Sequence, residues 1–370
     1  AYSSSATSVF ADDIDSDGDI DIISTSMGNS LELHKNDGSQ NFTTLTINND
    51  LGYAIKARAI DFNRDGFKDI VAMGFTSNNL LLYENDGLEN FNQQSIIIGF
   101  DGPLDFDMGD LDDDGDIDFI TASTWNGEIA WHENTEEGNF VKHQLGYALQ
   151  ARSIHAVDID RDGDFDILTG DFNSSPSNSD NLYLYENKLR DGQDFTLISI
   201  ADNLNQVKAI NSGDFDNNGT IDIVVTSQYS GVIFYENTTS TAFEPSYSEN
   251  TIYNEADGAS AVYAIDIDTD GDMDLISASY DDDKIAWYEN NGLETFTAHI
   301  ISTIDNGVED IYAADIDADG DIDIITAAMW DEDVNLYIND GSQNFSYSLV
   351  GRLQQPTSVF ANDLDGDGDL

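Results

Sequence analysis

The chain of 370 residues has no cysteine, four prolines, five histidines and only 13 lysines and arginines. Without cysteine there are no disulfides, no thiolate nucleophile and no thiolate metal site, although the compartment stays open. A secreted chain of this kind needs another source of cross-linking, and metal ions can supply it. The few basic residues face 73 Asp and Glu, a formal charge of −60. Nucleic acid and anionic membrane surfaces are therefore excluded as partners, because like charges would meet. No apolar run approaches the ~20 residues of a membrane-spanning helix, so no membrane insertion is expected. The opening AYSSSATSVF lacks a basic segment followed by an apolar stretch, so no leader peptide is legible; a processed secreted chain reads the same.

Hydrophobic residues at 40% and aromatics at 11% suffice for a sizeable core, which excludes global disorder. The acidic residues are also periodic. DIDSDGDID starts at Asp13, DFNRDGFKD at Asp61, DLDDDGDID at Asp110 and DIDRDGDFD at Asp158. DFDNNGTID follows at Asp214, DIDTDGDMD at Asp266, DIDADGDID at Asp315 and an interrupted DLDGDGD at Asp363. Successive starts lie 48, 49, 48, 56, 52, 49 and 48 residues apart. A period near ~50 is the length of one four-stranded propeller blade.

A second landmark follows each acidic loop: LELHKNDGSQNF from Leu31, LLLYENDGLENF from Leu80, IAWYENNGLETF from Ile285. Alternating apolar residues, a tight Asn/Asp/Gly turn and a resumption at Phe read as strand, turn, strand. Apolar runs such as IDIIST and IDIVVTS fit strands buried on both faces. No stretch shows helical spacing over three turns. The expectation is all-β: a seven-bladed β-propeller of strands a to d per blade, with the acidic loop between a and b. The approximate repeats are 7–54, 55–103, 104–151, 152–207, 208–259, 260–308 and 309–356, with 357–370 starting a further one; eight blades, the last incomplete, is the alternative. The two long periods come from polar insertions, at 172–181 and from Thr238. Stopping inside the motif suggests a piece of a longer chain.

D-x-D-x-D-G-x-x-D puts oxygen ligands at positions 1, 3, 5 and 9, with a carbonyl from position 7 and a Gly bend at 6. Positions 1, 3, 5 and 9 are Asp13, Asp15, Asp17 and Asp21; Asp61, Asn63, Asp65 and Asp69; Asp110, Asp112, Asp114 and Asp118; Asp158, Asp160, Asp162 and Asp166. They continue as Asp214, Asp216, Asn218 and Asp222; Asp266, Asp268, Asp270 and Asp274; Asp315, Asp317, Asp319 and Asp323; then Asp363, Asp365 and Asp367. Position 7 is Asp19, Phe67, Asp116, Asp164, Thr220, Asp272, Asp321 and Asp369, a variety expected where only the backbone contributes. A set of 6–8 oxygens with irregular geometry suits calcium better than magnesium, and manganese also fits the ligand type. About one ion per blade is expected. Seven divalent ions would move the formal charge from −60 to −46 (−60 + 14). An EF-hand would place Glu at position 12, where this chain has Ser24 and Ala72.

The acidic loop, its apolar continuation and the following W-Y-E-N-x-G-like strand resemble FG-GAP/VCBS repeats, which form integrin-α-like β-propellers, over essentially the whole chain. The resemblance implies structural calcium in the a–b loop and a secreted or cell-surface protein that adheres to, or binds, glycans and proteins. Relatives include lectins and polysaccharide lyases, so the fold leaves activity open. The Phe-Gly and Gly-Ala-Pro signatures of integrins are absent, and integrin-type ligand binding is not carried over.

Six b–c turns carry an aromatic residue six or seven positions after the last ligand Asp: Phe75, Trp125, Phe172, Tyr229, Tyr280 and Trp330. Rings among Asn, Asp and Gly resemble sugar-stacking platforms, and packing on a neighbouring blade is the alternative reading. Phe75, Trp125, Tyr229, Tyr280 and Trp330 are the candidate ligand-binding residues, with Trp125 and Trp330 foremost; Trp131 and Trp287 belong to strand c and the core. Lys56, Arg58, Arg152, Lys208 and Arg352 lie in or beside d–a crossovers, as a patch for an anionic glycan or as local charge balance. No catalytic residue is assigned, because Tyr147 to Arg152 with His155 matches no spacing for acid–base work. The expected function is a calcium-binding adhesion or recognition module, extracellular or on the cell surface, for a glycan or a surface protein. A propeller-type polysaccharide lyase and a structural repeat of an extracellular filament, with copies of itself or further domains as partners, are the alternatives.

Overall fold

A computed structural model describes residues 6–38, 41–88, 90–135, 139–172, 181–202, 204, 206–239, 245–293, 295–363 and 370. Every sheet has four antiparallel strands in chain order, and there are seven such sheets among the described residues. The fold is the seven-bladed β-propeller that the period predicts. In blade 1 the strands a to d are Ala6–Asp12, Asp21–Ser26, Leu31–Lys35 and Thr43–Asn48. The other blades span 54–98, 103–147, 154–202, 207–253, 259–302 and 308–352. The chain divides into two units, Ala1–Pro103 with Glu309–Leu370, and Leu104–Val308. The first holds blades 1, 2 and 7, the second blades 3 to 6.

Burial follows the sequence pattern. Strand b is buried at every position in Asp69–Gly74, Asp118–Ser123, Asp222–Ser227 and Asp274–Ser279. Strand d is largely exposed, as in Tyr247–Tyr253. Neighbouring blades share cores. Ile14, Ile23, Leu31 and Leu33 of blade 1 form one cluster with Ile70, Ala72, Leu81 and Tyr83 of blade 2. Leu168, Leu182 and Leu184 of blade 4 meet Ile223, Val225 and Tyr235 of blade 5 in the same way. Each fully buried Leu or Ile contributes roughly 1.5–3 kcal/mol.

Two features were not expected. Among the described residues one 3-10 turn, Leu189–Asp191, sits in the c–d connection of blade 4. A β-bulge opens the c–d pairing of every blade at an equivalent place, from Leu31/Glu32 to Val334/Asn335. Of the insertions, 173–180 and 240–244 lie outside the described residues, as do the candidate ligands Asp365, Asp367 and Asp369.

Candidate functional site

Each acidic loop starts where strand a ends and closes at the first residue of strand b. Asp12 and Asp21 pair across that gap in blade 1, and Ile265 and Asp274 in blade 6. Reversing the chain in so few residues takes two left-handed backbone positions. Position 6 is one, with φ of +99° at Gly18 and +100° at Gly271. A Cβ on Gly271 would meet nothing within 4 Å, so the backbone angle alone requires glycine. Position 4 is the other, with φ near +60° at Arg161, Thr269 and Ala318. Nothing in those varied side chains signals it.

Backbone N–H groups turn the carboxylates inward. Position 1 accepts from the position 6 N–H at 2.9–3.1 Å in six loops. Asp15 accepts from Asp17 N–H at 3.3 Å, and Asp17 from Asp19 N–H at 3.0 Å. In the loops that begin at Asp13, Asp110, Asp158 and Asp214, the position 1 Oδ1 is buried with no hydrogen-bond partner. Oxygens of Asp13, Asp15 and Asp17 lie within 4.8 Å of one another, as do those of Asp110, Asp112 and Asp114, and of Asp158, Asp160 and Asp162. In blades 5 and 6 the clusters are Asp214, Asp216, Asp222 and Asp266, Asp268, Asp274. Two carboxylates about 4 Å apart repel by ~4 kcal/mol at an effective dielectric near 20. Converging carboxylate oxygens, one of them buried and unpartnered, form a donor set that fits a hard divalent cation.

Position 9 has a second role. Asp166 Oδ2 accepts Ile159 N–H at 3.1 Å and Oδ1 accepts Asn187 N–H at 2.7 Å. All seven position 9 residues make this pair of bonds, for example Asp21 with Ile14 and Asn36, and Asp323 with Ile316 and Asn339. The carboxylate thus braces the a–b loop to the exit of strand c. Burial is the main cause of its raised pKa, with the backbone N–H bonds opposing. Asp21, Asp222 and Asp274 reach about 6, Asp118 about 7 and Asp166 about 8. Asp164, at position 7, is pushed to about 7 by burial and by Asp162.

Position 7 is also more than a backbone donor. A Cβ added at Gly38, Gly292 or Gly341 would lie 2.4–2.5 Å from the carboxylate of Asp19, Asp272 or Asp321, and at Gly87 2.5 Å from the Phe67 ring. The Asn/Asp-Gly turn between strands c and d lacks a side chain because position 7 occupies that space. Cations add bridges: Lys35 Nζ lies 3.0 Å from Asp15, and Arg161 Nη2 donates to Asp214 at 3.2 Å. Arg190 reaches Asp113 of the preceding blade and donates to the carbonyls of Asp162 and Gly163. Beside these loops a cavity of about 390 Å³ is lined by Asp160, Arg161, Glu186, Lys188, Thr220 and Tyr247 among others.

The b–c turns lie at the opposite end of each blade. Trp125, Tyr229 and Trp330 are exposed there, at 59%, 66% and 54%. Phe75 and Tyr280 are half-buried; Phe75 leans on Tyr53 at 5.9 Å, and Lys208 Nζ lies 5.2 Å above the Tyr280 ring. Arg152 covers Phe172 at 3.9 Å. The structure therefore divides the aromatic set into three exposed rings and three covered ones. Trp131 and Trp287 are buried as expected, stacked on His143 and His299 at 4.4 and 4.5 Å. Those histidines bond Glu133 and Glu289, a Trp–His–Glu trio shared by blades 3 and 6. Its signal was the equal ten-residue step from each Glu to its His. His155 bonds Ser212 at 3.2 Å and lies 3.6 Å from Asp107.

No curated protein matches the chain. Among solved structures, an Agrocybe aegerita lectin described in specific recognition of non-reducing terminal N-acetylglucosamine is similar over 95% of this chain and 94% of its own, at 16% identity and TM-score 0.57. BBS1N, solved in complex with ARL6DN, is similar over 88% and 90%, at 12% identity and TM-score 0.55. A functionally unknown protein from Desulfotomaculum acetoxidans DSM 771 is similar over 91% and 96%, at 11% identity and TM-score 0.54. At such identities the likeness speaks for the fold alone. The FG-GAP-like repeat matches residues 13–72, 61–121, 110–169, 214–277, 266–326 and 315–370, and with most of its length covered the chain belongs to the FG-GAP-like repeat family.

Proposed function

We propose that the acidic loops bind calcium, about one ion per blade, and that the calcium-loaded propeller is an extracellular recognition module for a glycan. The buried, unpartnered Oδ1 atoms of Asp13, Asp110, Asp158 and Asp214, each within a carboxylate cluster, carry the metal reading. Positions 1, 3, 5 and 9 would hold the ion, which would supply positive charge to offset their repulsion. Its role would be structural, and no reaction is assigned. Trp125, Tyr229 and Trp330 support the glycan reading, because an exposed ring beside Asn, Asp or Gln can stack on a sugar face while the polar groups meet its hydroxyls. A lectin shares the fold, so a glycan ligand is compatible with it.

Elemental analysis after equilibration in millimolar calcium tests the first part; well under one ion per blade refutes it. A glycan array probed with the calcium-loaded chain and with Trp125→Ala/Trp330→Ala tests the second. Binding abolished in the double variant, at unchanged melting temperature, is expected. An array without hits refutes it.

A further inference from the structure

Residues 357–363 repeat the sequence of a strand a without belonging to any sheet. TSVFAND from Thr357 matches TSVFADD from Thr7, yet the strand a place of blade 1 is held by Ala6–Asp12. The segment lies beside that strand, between blades 7 and 1, and makes the contacts that one strand a makes with the next elsewhere. Thr357 Oγ1 donates to the carbonyls of Ala6 at 3.1 Å and Thr7 at 3.4 Å, as Ser260 Oγ donates to Val308 at 2.8 Å. On its other side Val359 N–H donates to Asp310 Oδ2 at 3.0 Å, the same 49-residue step by which Ile154 N–H reaches Asp105. Phe360 rests on Tyr312 at 4.7 Å.

The blade faces on either side are incompletely covered. In blade 2 the face toward blade 1 carries Ala57, Ile70, Ala72, Leu81 and Tyr83, all buried. Its counterpart in blade 1 carries Val9, Ile22, Ser24, Glu32 and His34, all partly exposed. On blade 7, Ile316, Ile325 and Leu336 are partly exposed, whereas their blade 1 counterparts Ile14, Ile23 and Leu33 are at 0–1%. A cavity of about 150 Å³ opens between Val9, Phe10, Ala11, Ile22, Phe360 and Asn362. The carbonyls of Ile14, Leu111 and Phe215 each accept an Asn side chain from the following blade. The equivalent carbonyl of Ile316 accepts Leu370 N–H instead, at 2.9 Å.

We infer that the wedge between blades 7 and 1 is the place of an eighth blade: residues 357–363 are its strand a, and the occupant that fits the rest is a b–c–d strand set of the same repeat. The uncovered Ile316, Ile325 and Leu336 are the surface against which another blade places residues like Ile70, Ala72 and Tyr83.

The absence of native cysteine allows a direct test with Ile22→Cys and Leu336→Cys in the full chain, and Ile70→Cys as a buried control. Maleimide labelling of the two wedge thiols in calcium is expected to be fast relative to the control. Fusing residues 21–48 or, separately, 274–302 directly after Leu370 is expected to slow labelling at both wedge positions about tenfold or more, because access limits the reaction. Labelling as slow as the control in the unfused chain would overturn the inference, since blades 7 and 1 would then cover each other. Unchanged labelling in both fusions overturns it too. Slowing that depends on protein concentration and accompanies a dimer on gel filtration would assign the wedge to a second copy and overturn the fused occupant.

Discussion

The side-chain amide of Asn290 donates to the carbonyl of Phe215 at 2.8 Å, joining the end of strand c in blade 6 to the acidic loop of blade 5. The same amide donates to Met273 within its own loop at 2.9 Å, and Asn290 Oδ1 accepts Gly292 N–H. Asn339 repeats the two local bonds, to Ile322 and from Gly341. Asn290→Ala should therefore destabilise more than Asn339→Ala, by about 1 kcal/mol, the net value of one buried hydrogen bond. Urea unfolding of both variants in calcium measures it, and equal midpoints would deny a separate contribution to the inter-blade bond.

Calcium removal should invert the effect of a ligand mutation. In calcium at a hundredfold excess over Kd, one site stabilises the fold by about 3 kcal/mol, which Asp268→Ala should forfeit. In chelator the same substitution removes one of the converging carboxylates, so its cost should shrink or change sign. Acidity acts on the chelated protein through position 9. Asp118 and Asp166 bind protons more tightly folded than unfolded, with pKa values raised to about 7 and about 8. Between pH 4 and 8 the folded state thus holds the extra protons, and these two groups favour folding at the acid end of that window and lose that contribution as pH rises. Calcium bound at these loops would compete with those protons, so the melting-temperature gain on adding it should grow from pH 5 to pH 8. A gain independent of pH would remove the carboxylates from the account.

How much of this was legible in the residues themselves depends on how local the signal is. The motif beginning at Asp266 carries its spacing and its glycine, so loop, bend and inward carboxylates could all be read. The brace at Asp166 could not, because its second partner, Asn187, is brought to it only when strand c pairs with strand b. The packing of position 7 was hidden for the same reason. Asp19, Phe67 and Thr220 share no chemistry, only a place beside the c–d turn. The ring at Trp125 and the ring at Phe75 occupy matching turns, yet the first is exposed and the second leans on Tyr53, a contact from another stretch of chain that the turn sequence does not announce.

Gly271 and Gly87 should fail differently when mutated to alanine. Gly271→Ala meets open space but keeps φ near +100°, so it should cost roughly 1–2 kcal/mol through the backbone and loosen the ligand loop. Gly87→Ala would drive a methyl against Phe67, 2.5 Å away, at a φ of +72°. Adding Phe67→Ala should recover part of the second loss and none of the first. Thermal melts of the single and double variants decide it, and equal recovery in both backgrounds would contradict the steric argument.

His132 gives the acid limb its own signature. It stands where Tyr83, Tyr185, Tyr235, Tyr288 and Tyr337 stand in other blades, buried at 3% exposure and bonded to Thr121 Oγ1 at 2.9 Å. Burial, with Lys142 and His143 adding to it, lowers its pKa from 6.5 to about 3. Unfolded, the imidazole takes a proton below pH 6.5; folded, it stays neutral down to about 3. Its contribution to stability is therefore complete above pH 6.5 and drains away as pH falls toward 3, at no more than about 1.4 kcal/mol per pH unit. His132→Tyr supplies a hydroxyl within the same packing position and nothing that titrates there. In chelator, which removes the calcium linkage from both proteins, the variant should gain on the parent as pH drops from 7 to 4.5. Urea midpoints that keep a constant separation over that range would show that some other group governs the acid response.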